Sequence, residues 1–379
     1  MKPIKVLEIQ GSVGPGGSER HTLILSKGLK RSDDFDVAII GPYFRNPEMF
    51  QEVRSLGIPC YEIDLEHKTK FVRSLKSIIG VIRDQEIDVI HTHLRNADIY
   101  GIVAGMLAII PVIATLHGRT GSLEGRSTFK SKFMKLLHSQ LLRYGTKRIL
   151  AISNFVKEFN VKDLSLDPSK IEVIYNCTET DRFDITLDVS AFRKDLGVQS
   201  RDKVVSLIGG ISRQKGAHHF VEVASIVARR QGNIKFLIAG FGDFEDEMRK
   251  RVRTKGLSSC FIFAGWRSDV PKLLHATDIL VMAAHQEGFG RIITEAMAAS
   301  KPVVAFASGG VPEIVVHGET GYLVPYGDIE GMASYVLELL QDEAACKALG
   351  HNGRQRLEKH FSPTVLVQRT KKVLESVIG

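Results

Sequence analysis

The 379-residue sequence has few cysteines, and they form no recognisable pattern. The four are Cys60, Cys177, Cys260 and Cys346, without a CxxC pair and without the spacing of zinc ligands. Disulfide-rich secreted domains and zinc modules bring cysteines together at short, regular spacings. The pattern argues against both classes and predicts four reduced thiols in a cytoplasmic protein.

The sequence also lacks a clear targeting or membrane-spanning segment. Its start, MKPIKVLEIQG, has only a short apolar run before Glu8, so we expect a strand there and not a signal peptide. The stretch Ile99–Leu116 is apolar enough to suggest a span, but Pro111 interrupts it and β-branched residues follow. We expect a buried helix that runs into a buried strand.

Length and charge narrow the class of protein further. A chain of 379 residues is too long for one ordinary core and suits two domains. A net charge of +8 favours partners that carry phosphate, which are nucleotides, nucleic acid or an anionic membrane surface. The charge alone does not choose among them.

Apolar strands alternate with helical stretches along the chain. The first series of strands is IKVLEI, DVAIIG, DVIHTH, PVIATLH and RILAIS, and the second is KVVSLIGG, KFLIAG, CFIFAG, DILVMAA and PVVAFA. Helical stretches such as Ser18–Lys30 and Thr69–Asp84 lie between them. Two successive series of this kind predict an α/β protein with two doubly wound, parallel-sheet (Rossmann-like) domains.

A charged segment at Phe183–Ser200 separates the two series. We therefore assign residues 1–185 to the first domain and residues 186–362 to the second, and we expect the last helix, 363–379, to return to the first. Ligands bind at the carboxyl ends of strands in such sheets, so we expect the domains to face each other across a ligand-binding cleft.

A first glycine-rich turn, QGSVGPGGSERH, follows strand one and opens helix one. Gly16 and Gly17 would let backbone N–H groups approach an anion at the helix N-terminus, although a tight turn without a ligand is the alternative. The turn is not the GxGxxG of dinucleotide enzymes, because Glu19 takes the place of the third glycine. Strand two also ends in Gly-Pro and not in a ribose-binding acid, which argues against a nicotinamide-dependent dehydrogenase.

Three histidines fall at predicted strand ends. His117 follows a buried strand and precedes a glycine loop, so we expect it to contact a substrate. His91 and His93 are weaker candidates, since a histidine at such a position is usually structural. No carboxylate is spaced near the three histidines, so we expect no metal site.

A second glycine-rich turn, LIGGISRQKGAHHF, follows the first strand of the second domain. Arg213 and Lys215 lie in this turn, and Gly216 precedes a helix. Cations at such a place suit a diphosphate, because the glycines allow its close approach. The alternative is a solvated basic loop.

The segment HQEGFGRIITEAMAAS combines a strand end, a glycine turn and a helix. Glu287 lies in the turn and Glu295 about one turn into the helix, so both can face the site. A carboxylate binds vicinal hydroxyls well, because each of its oxygens accepts a hydrogen bond. One glutamate could hold a ribose and the other a sugar.

Taken together, eight segments resemble those of one family. They are GGSERH, IHTHLR, TLHG, YNCTETDRF, SRQKG, FAGWRSDV, EGFGRIITEAMAASKPVV and GGVPEIVVHGETGYLVPYGD. Their order and content resemble the family-4 retaining glycosyltransferases of the GT-B fold over nearly the whole chain. The two glutamates with seven residues between them are the most specific signal.

The resemblance implies a reaction and its substrates. A metal-independent enzyme would move a sugar, with retention of anomeric configuration, from a nucleotide-diphosphate-sugar to a saccharide or lipid-linked saccharide. The product would serve the synthesis of cell-surface polysaccharide or glycan. The first domain would hold the acceptor and the second the donor, and the nucleotide sugar would be a substrate, with no cofactor required.

The resemblance also implies roles for individual residues in donor binding. Glu295 would bind the donor ribose. Glu287 would hold the donor sugar together with the backbone of three residues, which are Gly288, Phe289 and Gly290.

The same resemblance makes Lys215, Glu287 and His117 the catalytic residues, with Gly16, Gly17 and Arg213 on the donor. Lys215 would neutralise the leaving diphosphate, Gly16 and Gly17 would approach it from the other domain, and His117 would lie beside the transferring sugar. The family usually has an arginine five residues before the loop lysine, whereas this chain has Gly210. Arg213 would replace that arginine, or the donor would be held with one cation fewer.

Two other functions stay open on the same fold. Gly210 is compatible with a non-catalytic subunit that binds a sugar nucleotide without turnover. A sugar-nucleotide epimerase or a phosphorylase would also use two domains of this kind. The glutamate pair fits sugar transfer better than either.

Residues Arg119–Arg148 mix basic and apolar side chains at helical spacing. One interpretation is a core helix with a solvated basic face. The other is a surface that docks on anionic lipid at the inner face of the membrane, where a lipid-linked acceptor would lie. Nucleic acid is not an expected partner, since no aromatic platform accompanies the charge.

Overall fold

The computed structural model describes residues 2–11, 16–41, 47–67, 70–119 and 129–378, and the side chains of all of these except 47–50 and 129–130. The chain divides into two compact units. The first is Met1–Asn176 with Pro363–Gly379, and the second is Cys177–Ser362. The sequence-based boundary at residue 185 lies a little later than this division.

The first unit is built around a parallel sheet. Its strands are β1 Ile4–Gln10, β2 Phe35–Gly41, β3 Cys60–Glu62, β4 Val89–His93, β5 Val112–Leu116, β6 Arg148–Ala151 and β7 Ile171–Val173. Within the described residues the seven strands are arranged in the order β3-β2-β1-β4-β5-β6-β7. The helices are α1 Gly17–Lys30, α2 Pro47–Ser55, α3 Phe71–Asp84, α4 Arg95–Ala108, α5 Phe129–Gly145 and α6 Asn154–Leu164.

The second unit repeats the architecture. Its strands are β8 Lys203–Ile208, β9 Ile234–Ala239, β10 Phe261–Gly265, β11 Ile279–Met282, β12 Val303–Phe306 and β13 Gly321–Val324, in the order β10-β9-β8-β11-β12-β13. The helices are α7 Val189–Asp195, α8 Ala217–Arg230, α9 Glu245–Thr254, α10 Val270–Ala276, α11 Arg291–Ala298, α12 Val311–Ile314, α13 Ile329–Gln341 and α14 Glu343–His360. Short 3₁₀ turns occupy Pro168–Lys170 and Thr180–Phe183.

Both sheets confirm the predicted doubly wound, parallel α/β architecture. In each, the strand order reverses beside the first strand, β1 or β8, and this reversal is where such sheets bind ligands. Strands β4, β5, β11 and β12 are buried along their whole length because helices cover both faces.

Capping aspartates explain where several helices of the second unit begin. The side chains of Asp188, Asp328 and Asp342 each accept a hydrogen bond from a backbone N–H in the first turn, at 2.9 to 3.0 Å. The first of these starts α7, which lies within the segment Phe183–Ser200. We predicted that segment as a linker, but the structure shows that part of it is helical.

The last helix, α15 Pro363–Ile378, belongs to the first unit. It packs against α1, where a Cβ added to Gly28 would lie 2.2 Å from Val367 Cγ2. Lys371 of this helix is also 3.1 Å from the carboxylate of Asp34 and lies over the ring of Phe35. The absence of a side chain at Gly28 therefore lets the two helices approach closely.

The apolar stretch Ile99–Leu116 is divided between α4 and β5, as predicted. Among the described residues, no helix has the combination of length and apolar character needed to cross a bilayer.

A close backbone contact joins the second glycine turn to β11. Gly216 has φ +74°, and a Cβ at that position would lie 1.8 Å from the carbonyl oxygen of Ala283. The backbone N–H of His285 donates to the carbonyl of Gln214 at 2.8 Å, just beside it. Only glycine allows this approach, since any side chain would collide with main-chain atoms that cannot rotate away.

We predict that Gly216→Ala lowers the free energy of unfolding by about 2–3 kcal/mol, because overpacking and left-handed backbone strain act together. Denaturant unfolding of the full chain measures this change. Gly232→Ala is the control, since a Cβ there meets nothing within 4 Å. It should stay within about 0.5 kcal/mol of the parent. Equal effects of the two substitutions would contradict the proposed contact.

Candidate functional site

In the first unit, a buried carboxylate lies among histidines at the carboxyl ends of neighbouring strands. Glu8 of β1 is aligned with His91 of β4, and His93 follows on the same face. Glu8 Oε1 is 3.1 Å from His91 Nδ1, and its Oε2 is 2.6 Å from His93 Nε2. All three side chains are fully buried.

His117, which follows β5, extends this cluster towards the surface and is partly exposed. Its Nε2 lies 3.0 Å from His93 Nδ1, and its ring meets that of His21 edge to face at 4.9 Å. The surrounding protein removes water from His93 and His117, and the neighbouring imidazoles add repulsion. Both effects hold the pKa of each ring well below its usual range. The two rings are therefore neutral near pH 7.

This geometry agrees with one expectation and corrects another. His91 and His93 are buried against Glu8 and are not placed to touch a substrate. A carboxylate does accompany the histidines, because Glu8 reaches them across the sheet. One ring nitrogen each of His21, His93 and His117 lie within 4.8 Å of one another, so this trio could hold a metal ion.

The first glycine turn lies beside an acid of its own helix. A Cβ on Gly16 would lie 2.5 Å from Glu19 Oε2, and Glu19 is almost fully buried. Gly17 is the first residue of α1. A side chain at Gly16 would therefore displace the Glu19 carboxylate, and Gly16 stays a candidate for anion contact.

In the second unit, the turn after β8 carries the predicted cations. The backbone N–H of Lys215 donates to Ser212 Oγ at 3.1 Å, which shapes the turn. Arg213 is exposed, and its guanidinium lies 5.9 Å from the ring centre of Phe244. A Cβ on Gly210 would meet only Lys215 Cγ, at 3.9 Å. Position 210 therefore has room for a side chain.

The turn after β11 is held by main-chain contacts to the loop that follows β12. The Glu287 carbonyl accepts from the Gly310 N–H at 2.8 Å, and the Gln286 N–H donates to Ser308 Oγ at 2.8 Å. Gln286 has φ +50°, a conformation that a non-glycine residue adopts only when its surroundings hold it. The strained turn fixes the place of the Glu287 side chain.

The two turns meet through one ion pair. Lys215 Nζ lies 2.5 Å from Glu287 Oε2, with the Glu287 side chain 15% exposed and that of Lys215 40% exposed. The sequence predicted both residues as catalytic but not their direct contact. An ammonium group has three N–H donors, so Lys215 can bind Glu287 and an anion together.

Glu295 and the glycine turn before it lie at the start of α11. Gly290 has φ +89° and precedes the helix, and Glu295 accepts from Arg291 at 2.9 Å one turn along. The side chain of Phe289 is buried, with its ring 5.7 Å from that of Phe361. Gly288 and Glu287 stay partly exposed.

The predicted residues therefore form two groups, one in each unit. Gly16, Gly17 and His117 belong to the first. The other group consists of Arg213, Lys215, Glu287, Gly288, Phe289, Gly290 and Glu295. Sequence reasoning missed Glu8 and Ser308. Glu8 could have been found from the sequence, because it is an acidic residue within a strand whose centre is otherwise apolar.

Comparison with known proteins identifies the family. Residues 188–356 match the family model "Glycosyl transferases group 1", and residues 15–182 match "Glycosyltransferase Family 4". The two matches follow one another along the chain, one in each unit.

Two curated relatives match over most of their length. A UDP-Gal:alpha-D-GlcNAc-diphosphoundecaprenol alpha-1,3-galactosyltransferase of Escherichia coli is 27% identical over 92% of this chain and 90% of its own. The capsular polysaccharide biosynthesis glycosyltransferase CapM of Staphylococcus aureus is 25% identical over 90% of this chain and 85% of its own.

Solved structures share the fold. Anabaena HepE, crystallised in complex with UDP and glucose, superposes with a TM-score of 0.85, at 22% identity, over 98% of this chain and 100% of its own. A glycosyltransferase from Rickettsia africae gives 0.84 at 22% identity, over 100% of this chain and 99% of its own. With two matching family models, two parallel-sheet units and these relatives, the chain belongs to glycosyltransferase family 4 and has the GT-B fold.

Proposed function

We propose that this protein transfers a sugar from a UDP-sugar to a saccharide or lipid-linked saccharide acceptor, with retention of anomeric configuration and without a metal. The contact between Lys215 and Glu287 is the observation that carries the proposal. It places a cation with spare donors directly beside an acid suited to sugar hydroxyls. The name of the E. coli relative and the ligands of HepE support UDP as the nucleotide.

The difficult step of such a reaction is departure of the diphosphate. The bond between the anomeric carbon and the phosphate oxygen breaks while charge develops on that oxygen. Lys215 would stabilise this charge, since a fixed cation near the leaving group acts most strongly when the charge is greatest. Exposed Arg213 would add a second positive charge to the same turn.

Retention follows if the acceptor hydroxyl attacks from the face that the diphosphate leaves. The new bond joins the acceptor oxygen to the anomeric carbon, and the leaving phosphate takes the hydroxyl proton. This route needs neither a strong protein base nor a metal. Glu287 would orient the sugar, and Glu295 would bind the ribose hydroxyls, exchanging part of its contact with Arg291.

A further proposal concerns the place of the reaction. Three residues along α5 project large apolar side chains into solvent, with Phe133 56%, Leu136 57% and Tyr144 76% exposed. The end of α4 adds Met106, Leu107 and Ile109, which are 59%, 62% and 90% exposed. We call these six residues the apolar face.

Helices α4 and α5 pack together at the end of α5, close to Met106 of the apolar face. A Cβ on Gly145 would lie 3.5 Å from Met106 Sδ and 2.2 Å from Ile102 Cγ2. Lys132 and Arg143 are exposed on the same helix as Phe133. Apolar side chains bordered by cations suit the interface of an anionic bilayer. A solvated basic face alone does not describe α5, because Lys135 is paired with Asp163 of α6.

The donor is tested by thermal shift with UDP, GDP, ADP and NAD. UDP at about 100 times its Kd should stabilise the protein by about 2.7 kcal/mol. Glu295→Gln should weaken UDP binding at least tenfold, about 1.4 kcal/mol, through loss of a charged acceptor. Glu330→Gln, on the exposed start of α13, should leave the UDP shift unchanged. A shift with NAD alone, or one insensitive to Glu295→Gln, would refute the proposal.

Gly210→Arg should tighten UDP binding about tenfold, because the position is open and a charge-assisted hydrogen bond becomes available. Calorimetric titration measures the dissociation constant. Gly210→Ala occupies the same space without charge and should bind UDP like the parent. The same affinity for all three proteins would show that this position does not face the diphosphate.

Phe133→Ser combined with Leu136→Ser should reduce binding to phosphatidylglycerol vesicles at least tenfold, since two exposed apolar anchors are lost. Co-sedimentation measures the bound fraction. Val72→Ser is the control, because Val72 is 64% exposed on α3 outside the apolar face. Vesicle binding that survives the double substitution would rule out the apolar face as the docking surface.

A further inference from the structure

A continuous row of hydrogen-bonding groups crosses the first unit from its interior to its surface. It starts at Thr115 Oγ1, which is 2.7 Å from His91 Nε2, and passes through Glu8 to His93. It ends at His117, whose Nε2 is 3.0 Å from His93 Nδ1. His91 and His93 each use their two ring nitrogens for two different partners. The nitrogen that carries the proton in one ring therefore decides which nitrogen can donate in the next.

The directions of these bonds follow from the carboxylate. A carboxylate accepts at both oxygens, so with Glu8 in that form His91 Nδ1 and His93 Nε2 each donate to it. A neutral imidazole carries one N–H and one lone pair. His93 Nδ1 is therefore an acceptor, and the group that donates to it is His117 Nε2–H.

The far end of the row agrees with this assignment, because the hydroxyl of Thr115 lies 2.7 Å from His91 Nε2 and can either donate to it or accept from it. No bond in the row then has two donors or two acceptors.

We propose that Glu8 and His93 are positioning residues that fix His117 in its Nε2–H tautomer, so that His117 Nδ1 accepts a hydrogen bond from a sugar hydroxyl. The identity of the ligand rests on the proposed function, whereas the tautomer does not. A hydroxyl can both donate and accept, so the fixed lone pair selects the orientation in which the hydroxyl donates.

The surroundings of His117 fit this role. Within the described part of the chain, no protein group hydrogen-bonds to its Nδ1, and the side chain is partly exposed where the rest of the row is buried. A surface histidine without partners would exchange between its two tautomers. Here the buried carboxylate, two residues away in the row, removes that freedom.

The tautomer is measured directly by long-range ¹H–¹⁵N correlation on ¹⁵N-histidine-labelled protein treated with EDTA. The His117→Gln variant assigns the His117 signals by their absence. The expected result is a protonated Nε2 and an unprotonated Nδ1 in His117. A proton on Nδ1 would overturn the assignment. This measurement uses the unsubstituted protein and does not depend on whether a buried variant folds.

Glu8→Gln tests the origin of the tautomer, because one accepting oxygen becomes a donating amide of the same size. An amide facing His93 Nε2 moves the His93 proton to Nδ1 and the His117 proton to Nδ1. Thr115→Val is the matched control, since it breaks the same row on the His91 side. The control should keep the His117 tautomer. A Glu8→Gln spectrum identical to that of the parent would overturn the role of Glu8.

The ligand is identified by adding UDP, UDP-glucose and glucose separately. A change of the His117 Nδ1 signal with UDP-glucose but not UDP assigns the hydroxyl to the donor sugar, and a change with glucose alone assigns it to the acceptor.

In Glu8→Gln we expect turnover of UDP-glucose to fall about tenfold with the Kd for UDP unchanged. Failure to bind UDP would contradict the proposed function alone. An unperturbed Nδ1 in protein that binds UDP-glucose and glucose would overturn the hydroxyl contact.

Discussion

The second unit depends on one backbone contact, that of Gly216 with the carbonyl of Ala283. It brings the turn after β8 against the end of β11, so that Lys215 reaches Glu287 across neighbouring strands. The ion pair is a consequence of this approach and not its cause, since an exposed lysine contributes little to stability by itself. The close packing of the main chain positions Lys215 and Glu287, and these two charged side chains then provide the chemistry of the site.

The architecture was predictable because long apolar strands alternate with helices, and that pattern admits few parallel folds. The strands β3, β7 and β13 were not predicted. Each is an edge strand of three or four residues that lacks the longer apolar run of the predicted strands, and each pairs with a single neighbour. The segment Phe183–Ser200 appeared to be a linker because charge hides the helix that Asp188 starts.

The site was predictable where a motif carries the chemistry within one segment, as in the turn with Glu287 and Glu295. It was not predictable where residues distant in sequence meet. The register of β1 and β4 aligns Glu8 with His91 and so brings it within reach of His93, and nothing local in either strand indicates that contact. Ser308 likewise acts through a backbone N–H of another loop. These residues were missed because their contacts join segments distant in the sequence, and the pattern of a single sequence does not encode such contacts.

The return of α15 to the first unit sets an order of events during translation. The segment that contacts Gly28, Asp34 and Phe35 leaves the ribosome only after all of Cys177–Ser362 has been made. The second unit is continuous in sequence, so it can finish folding while the first still shows an uncovered helix to chaperones. The unit made first is therefore the one completed last.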